Sequence, residues 1–252
     1  MYTGQDRQRV RAAIVERASA DDRFAGIAQT GSAAAGREDR WSDIDLAFGI
    51  HPPEALPQAL ADYTDFLYHR HGALHHLDIH HGSWTYRVFL LIGTLQVDLA
   101  FVPATDFRPL GADFELLSGA ALPANPVSEP PAAYLIGFGW LYAIHARSAI
   151  GRGKPWQAEY MISGMRDTAL SLACLRHGVP AMQGRGLDRL PADALALFAE
   201  ALVQSTSTAE LTRAFQAATR LLAAEIRLAD PSLAQRLETP LMSIAGLTAQ
   251  LD

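Results

Sequence analysis

Four residues near the start of the chain have types and spacing that suit phosphate and metal chemistry. Gly31 and Ser32 follow the apolar run 24–28, where a buried strand can end and a turn can begin. A glycine at that point lets the main chain approach a ligand closely, and exposed N–H groups at such a turn suit anionic oxygens. Asp43 and Asp45 follow after a polar loop. The segment therefore predicts a phosphate-binding turn beside a pair of carboxylates.

The two aspartates lie in the run SDIDLAF, where polar and apolar residues alternate as they do along a strand with one solvated face. Asp43 and Asp45 should then point to the same side, about 6–7 Å apart along the strand. Two such carboxylates repel each other unless a cation joins them, and Mg2+ takes oxygen ligands and commonly bridges to substrate phosphates. We predict a divalent metal site. Two solvated aspartates on an edge strand, with an ordinary Gly-Ser turn, are the alternative.

A third carboxylate, Asp98, lies between Val97 and Leu99 in the apolar run LQVDLAFV. A lone aspartate in such a strand is costly to bury unless a cation or hydrogen-bond donors lie near it. Taken by itself, Asp98 is explained equally well by a metal site and by a capped or salt-bridged aspartate.

The pattern Gly-Ser-x-Ala-x-Gly, five residues, then Ser-Asp-Ile-Asp-Leu runs from Gly31 to Leu46. It resembles the signature of the DNA polymerase beta-type nucleotidyltransferase superfamily, and is most similar to its stand-alone members that adenylylate aminoglycosides or lincosamides. The resemblance implies that Asp43 and Asp45 hold two Mg2+ ions and that Asp98 completes the metal site. It also implies transfer of a nucleoside monophosphate, from ATP or another nucleoside triphosphate, to a hydroxyl of a small molecule.

The Gly-Ser segment itself does not provide a cation to neutralise the triphosphate. Many members of that superfamily carry an arginine just after Gly-Ser, whereas this chain has Ala33 and Ala34. We predict that Arg37, or Lys154 in a loop before a later helix, contacts the triphosphate together with the Gly-Ser turn. Lysine suits a phosphate as a flexible point charge, although surface solubility would also explain Lys154.

Glu159 lies on the helix predicted to follow Lys154. Some aminoglycoside nucleotidyltransferases use a glutamate of the second domain as the general base, so the resemblance implies that Glu159 takes the proton from the acceptor hydroxyl. An ordinary solvated helix face, with Glu159 near the helix N-terminus, is the alternative.

The order of periodic segments predicts an α+β catalytic domain at 1–125, with a mixed five-stranded nucleotidyltransferase sheet and flanking helices. The expected helices are 5–20 and 53–69, and the expected strands are 24–30, 42–50, 74–81, 85–92 and 95–102. The stretch 103–131 is then predicted to be loop-rich, and the prolines crowded near its end mark a domain boundary. An all-helical domain at 126–252 follows, which the resemblance implies completes the acceptor cleft, with helices expected at 132–148, 157–177, 192–204, 208–228 and 232–251.

Strand 74–81 is rich in histidine, but the spacing fits no standard zinc motif. His76, Asp78 and His80 would share one face of this strand. Asp78 and His80 would line the acceptor cleft if that face also carries the aspartates of the metal site.

Composition limits the partners. The net charge of −6 argues against a broad nucleic-acid surface, which would need clustered lysine and arginine. The single cysteine, Cys174, excludes an internal disulfide. No apolar run approaches the ~20 residues of a membrane span, and the polar start lacks a signal-peptide core, so we expect a cytoplasmic protein without a membrane partner.

Two other classes of function remain open from the sequence. One is an antitoxin-like nucleotidyltransferase that modifies or binds a protein partner. The other is a nucleotide-binding module without turnover. The sequence does not indicate the oligomeric state.

Overall fold

The computed structural model describes residues 2–125 and 130–246, and the chain divides into two compact units, Met1–Val127 and Ser128–Asp252. The predicted boundary between positions 125 and 126 adjoins the residues 126–129, which lie outside the described ranges.

The described residues of the first unit form a six-stranded sheet in the order β3-β4-β5-β2-β1-β6. Strands β2 and β5 are parallel, and every other neighbouring pair is antiparallel. The strands are β1 (Phe24–Thr30), β2 (Ile44–Ile50), β3 (Ala73–His81), β4 (Trp84–Leu91), β5 (Gln96–Pro103) and β6 (Phe114–Gly119). The helices are α1 (Gly4–Ser19), the single turn α2 (Gly31–Ala34) and α3 (Leu56–His71).

The prediction of five strands is wrong, because β6 adds a sixth beside β1. This strand lies within the stretch that the sequence predicted to be loop-rich. Its side chains are mostly exposed, including Leu116 and Leu117, so no alternation of buried and solvated positions marks it. Main-chain pairing with β1 forms the strand instead, and such pairing leaves no local pattern in the sequence.

Helices α1 and α3 cover one face of the sheet. The larger of the two hydrophobic cores of this unit lies between these helices and the strands. Phe48, Tyr63 and Phe101 are fully buried there and pack ring against ring. The Tyr63 hydroxyl donates to the carbonyl of Ile14 at 3.1 Å, which ties the two helices together. Each such buried side chain contributes about 1.5–3 kcal/mol through burial of apolar area.

The opposite face carries a smaller core that covers only part of the sheet. It consists of Ala28, Ala47, Trp84, Ala100, Val102 and Phe107. Small side chains on the central strands let Phe107 lie directly on the sheet: a Cβ at Gly49 would come within 2.8 Å of its ring. Beyond this core the same face carries exposed side chains, including Leu77 and Ile79 of β3, and we call it the open face.

The described secondary structure of the second unit is helical. The helices are α4 (Ala132–Gly151), α5 (Pro155–His177), α6 (Ala192–Ala199), α7 (Thr208–Ala229) and α8 (Pro231–Ile244). Helix α4 packs closely against α7 and α5 at two glycines. A Cβ on Gly139 of α4 would lie 2.6 Å from Leu222 of α7, and a Cβ on Gly164 of α5 would lie 2.8 Å from Tyr142 of α4.

Helix α6 ends at Ala199, before the predicted end at 204. Beyond it, the guanidinium of Arg213 donates to the carbonyls of Glu200 and Leu202 at 2.6 and 2.9 Å. These carbonyls are therefore satisfied without further helical turns. The predicted end of the last helix, at 251, lies outside the described residues. Within the described ranges, none of the helices combines the length and apolarity that crossing a membrane requires.

Candidate metal and nucleotide site

The parallel pairing of β2 with β5 brings two of the predicted aspartates together. Asp45 lies directly opposite Asp98 in the register, so both carboxylates point to the open face. Asp43 immediately precedes β2. The strand predicted at 42–50 contained Asp43, but the observed strand begins at Ile44. One carboxylate oxygen from each of the three residues lies within 4.8 Å of the others. A divalent cation with oxygen ligands could bind all three at once.

The three carboxylates are half-buried, which makes their mutual repulsion costly. Burial raises the pKa of Asp98 to about 6, the hydrogen bond from Gln96 lowers it in part, and the charge of Asp43 raises it. The side-chain amide of Gln96 donates to Asp98 at 3.0 Å and to Asp43 at 3.4 Å. A neutral amide offsets only part of the negative charge, and a bound cation would offset the rest.

Gly31 brings the turn after β1 close to this cluster. Its φ is +63°, and a Cβ at this position would collide with the Asp45 carboxylate oxygen Oδ2. Only glycine adopts this conformation without strain and also leaves room for Asp45. The predicted phosphate-binding turn therefore lies against Asp45 of the predicted carboxylate pair.

The hydroxyl of Ser32 is buried and has no hydrogen-bond partner within residues 2–125 and 130–246. An unsatisfied buried hydroxyl costs about 1–3 kcal/mol, so native proteins rarely retain one without a ligand or water. A phosphate oxygen at this turn would accept from the hydroxyl. Ser32 and Gly31 thus fit the phosphate group that the sequence pattern predicts.

A buried arginine that the sequence analysis missed holds the loop before Asp43. Arg7 is 5% exposed, and its Nη1 donates to the carbonyls of Asp39 and Ser42 at 2.7 and 2.9 Å. The Tyr2 hydroxyl donates to the same Ser42 carbonyl at 3.0 Å. The residue that precedes Asp43 is thereby fixed from α1. No local signal distinguishes Arg7 from the other arginines of that amphipathic helix.

Arg37 lies in the same turn, since its N–H donates to the Ser32 carbonyl at 2.9 Å. Its side chain is 66% exposed and forms an ion pair with Asp113 at 2.8 Å. A role at the triphosphate would require the guanidinium to leave or share Asp113, so this assignment stays a prediction.

Glu159 and Lys154 belong to the second unit. Glu159 is half-buried, accepts a hydrogen bond from the Ser163 hydroxyl at 2.7 Å, and lines a cavity of about 350 Å³ together with Tyr142, Tyr160 and Asp167. Lys154 is exposed at the start of α5. The first unit alone brings together the three aspartates and the Gly-Ser turn, and the roles of Glu159 and Lys154 stay predictions.

Asp78 and His80 do not share the face of the metal cluster. Leu77 pairs with Val88, and Val88 pairs with Asp98, so the neighbouring Asp78 points to the opposite face. There Arg87 donates to Asp78 at 2.6 Å and holds the pKa of its carboxyl below the usual range. The suggestion that Asp78 and His80 line the acceptor cleft rested on a shared face, and the register places them on the other one.

Comparison with known proteins found similarity to solved structures but no matching family. No protein-family model matches the chain, and no curated protein matches it. A solved structure of an aminoglycoside 6-adenyltransferase from Bacillus subtilis is similar over 92% of this chain and 95% of that chain, with a TM-score of 0.41 and 10% sequence identity. Similarity at this level assigns neither a family nor an activity.

Proposed function

We propose that the chain is a metal-dependent nucleotidyltransferase, which moves AMP from ATP onto a hydroxyl of a small molecule and releases pyrophosphate. The observation that carries this proposal is the meeting of Asp43 and Asp45 with Asp98, which comes from a second segment of the chain, beside a turn with a buried, unsatisfied hydroxyl. Three carboxylates within 4.8 Å of one another repel each other unless a cation lies between them, so the cluster favours a ligand that contains a metal and phosphate.

Asp43, Asp45 and Asp98 would hold Mg2+, because a set of carboxylate oxygens suits a hard cation. When bound, such ions neutralise phosphate charge and lower the pKa of an oxygen nucleophile. The Gly31–Ser32 turn would hold phosphate oxygens through its N–H groups and the Ser32 hydroxyl. The protein groups therefore contribute mainly by positioning and by electrostatic stabilisation.

The reaction is an in-line displacement at the α-phosphorus. The acceptor oxygen forms a bond to this phosphorus, the bond to the bridging oxygen of the β-phosphate breaks, and pyrophosphate departs. The hydroxyl proton passes to a general base, for which Glu159 is our candidate. Arg37 and Lys154 are our candidates for contacts with the triphosphate, and an aminoglycoside or lincosamide antibiotic is the acceptor that the sequence resemblance suggests.

A transfer assay tests the proposal. Purified protein is incubated with ATP labelled at the α-phosphorus, Mg2+ and a panel of hydroxyl-bearing small molecules. Label should appear on a small molecule, and Asp45→Asn should abolish the transfer because a metal ligand is lost. Asp65→Asn, an exposed position on α3, is the matched control and should leave the transfer unchanged.

The same assay separates the alternatives. Label on a protein would favour the antitoxin-like class, and Mg2+-dependent ATP binding without any transfer would favour a non-catalytic module. Transfer that survives Asp45→Asn would contradict the metal assignment. Glu159→Gln should lower turnover and leave ATP binding intact, and unchanged turnover would remove Glu159 as the base.

A further inference from the structure

The geometry of the first unit indicates from which side the acceptor approaches, provided that the proposed function holds. The Gly31–Ser32 turn contacts Asp45 from the β1 side of the cluster. Phosphates held by this turn lie on that side, and an in-line attack places the acceptor oxygen opposite the departing pyrophosphate. The acceptor therefore lies on the side of Asp98, over β5 and the strands beyond it.

Those strands carry a continuous apolar surface on the same face, which we call the β3–β4 strip. It begins beside Asp98, because Val88 of β4 pairs with Asp98 and Leu77 of β3 pairs with Val88. Tyr86 and Ile79 form the next pair along the strands. Leu77 and Ile79 are 60% and 50% exposed, unlike the fully buried Phe89 of the opposite face.

The chemistry of the strip differs from that of the face behind it. Along β3 and β4 as described, the open face carries leucine, isoleucine, valine, aromatic residues and histidine, but no Asp, Glu, Lys or Arg. The charged residues of these strands, Asp78 and Arg87, pair with each other on the opposite face. From β5 to β3 the strip crosses two inter-strand spacings, so it reaches about 10 Å from Asp98. Exposed apolar surface that is continuous with a polar cluster is typical of a ligand site.

We propose that the β3–β4 strip binds the non-reacting part of the acceptor, and that the acceptor is a hydroxyl compound with an apolar chain or ring next to the reacting hydroxyl. The hydroxyl lies at Asp98, and the apolar part extends over Val88 and Tyr86 towards Leu77 and Ile79. The strip offers no carboxylate to pair with a cation. A densely charged polycation such as an aminoglycoside would therefore gain nothing from this surface, so this proposal narrows the acceptors that the sequence resemblance suggests.

A chain-length series tests this proposal with defined probes. Linear primary alkanols from ethanol to decanol serve as acceptors, and AMP transfer from labelled ATP gives kcat/KM for each. Each methylene that rests on the strip should raise kcat/KM about two- to fourfold, until the chain passes Leu77 and the values level off. Oligo(ethylene glycol) monomethyl ethers of matched length should show no such rise, because their ether oxygens remain better solvated in water.

Two variants locate the effect. Leu77→Thr should lower kcat/KM for octanol about tenfold, through a higher KM, while the values for ethanol and for ATP stay unchanged. Leu74→Thr makes the same change on the same strand at an exposed position three residues before Leu77, in the register irregularity between Ala73 and His75, and it should leave the whole series unchanged. Both positions are exposed, so both variants should fold.

Three outcomes would overturn the proposal. The first is transfer that does not depend on chain length, and the second is an equal effect of the two leucine variants. The third is a second copy of the chain that covers the strip. It would be seen as a doubled mass of the wild type and a monomer mass of Leu77→Thr. Failure of the proposed function looks different, because ATP with Mg2+ would then bind equally to the wild type and to Asp45→Asn in calorimetry. That result would remove both proposals.

Discussion

Asp98→Asn should stabilise the metal-free protein while it removes a metal ligand. Burial raises the pKa of this carboxyl from the ordinary 3.8 to about 6. The folded state therefore binds the proton more tightly than the unfolded chain does, and ionisation of Asp98 destabilises the fold. At about 1.36 kcal/mol per pH unit, the difference corresponds to at most ~3 kcal/mol. Because Asp98 is half-buried, we expect about 1–3 kcal/mol after screening by solvent.

The sign gives the pH window. The favourable contribution of protonated Asp98 is fully present below pH ~4 and is lost as the pH rises through about 6. In EDTA at pH 8, Asp98→Asn should therefore unfold at a higher urea concentration than the wild type, whereas near pH 4 the two should nearly coincide. The asparagine oxygen can still accept from Gln96, so this contact is kept.

Urea unfolding followed by tryptophan fluorescence measures the effect. In a background where the exposed Trp140 and Trp156 are replaced by phenylalanine, the signal reports on Trp41 and the buried Trp84 of the first unit. Added Mg2+ should raise the midpoint of the wild type but not that of Asp98→Asn. An advantage of the variant that is equal at both pH values, or absent at pH 8, would refute the electrostatic reasoning. Asp65→Asn controls for loss of an exposed carboxylate.

Three further substitutions test the surroundings of the cluster. Gly31→Ala should lower stability by about 1–2 kcal/mol, from the positive φ, and should weaken Mg2+ binding about tenfold in calorimetry, because the new Cβ displaces the Asp45 carboxylate. Ser32→Ala should leave the unfolding free energy of the ligand-free protein unchanged or raise it by about 1 kcal/mol, yet raise the KM for ATP several-fold; an unchanged KM would exclude contact with phosphate. Arg7→Met should cost about 2–3 kcal/mol and weaken Mg2+ binding, since the loop before Asp43 loses its anchor, whereas Arg11→Met, which loses only its ion pair with Glu38, should spare Mg2+ binding.

Local sequence was sufficient to predict the three carboxylates and the Gly-Ser turn of the candidate site, but not Arg7, which holds the loop before Asp43. The spacing from Gly31 to Asp45 indicated a turn followed by two carboxylates, and the apolar context of Asp98 marked it as a residue in need of a partner. Strands and helices followed from periodicity, because a strand with one buried face and an amphipathic helix leave regular patterns. The predicted and observed elements differ most where backbone pairing or capping, rather than burial, determines them. Strand β6 was not predicted, and α6 ends earlier than predicted.

Tertiary structure alone decided which of these groups meet and what surrounds them. Asp45 and Asp98 lie opposite each other only because β3 and β4 are placed beyond β5, which leaves β2 and β5 as parallel neighbours. A shift of one residue in the register would have turned Asp78, rather than Leu77, towards the cluster, and the β3–β4 strip would have carried charge. Register, burial and ion pairing depend on residues far apart in the chain. Periodicity along one segment therefore predicts a carboxylate on a strand, but the packed sheet determines the face to which it points and its neighbours there.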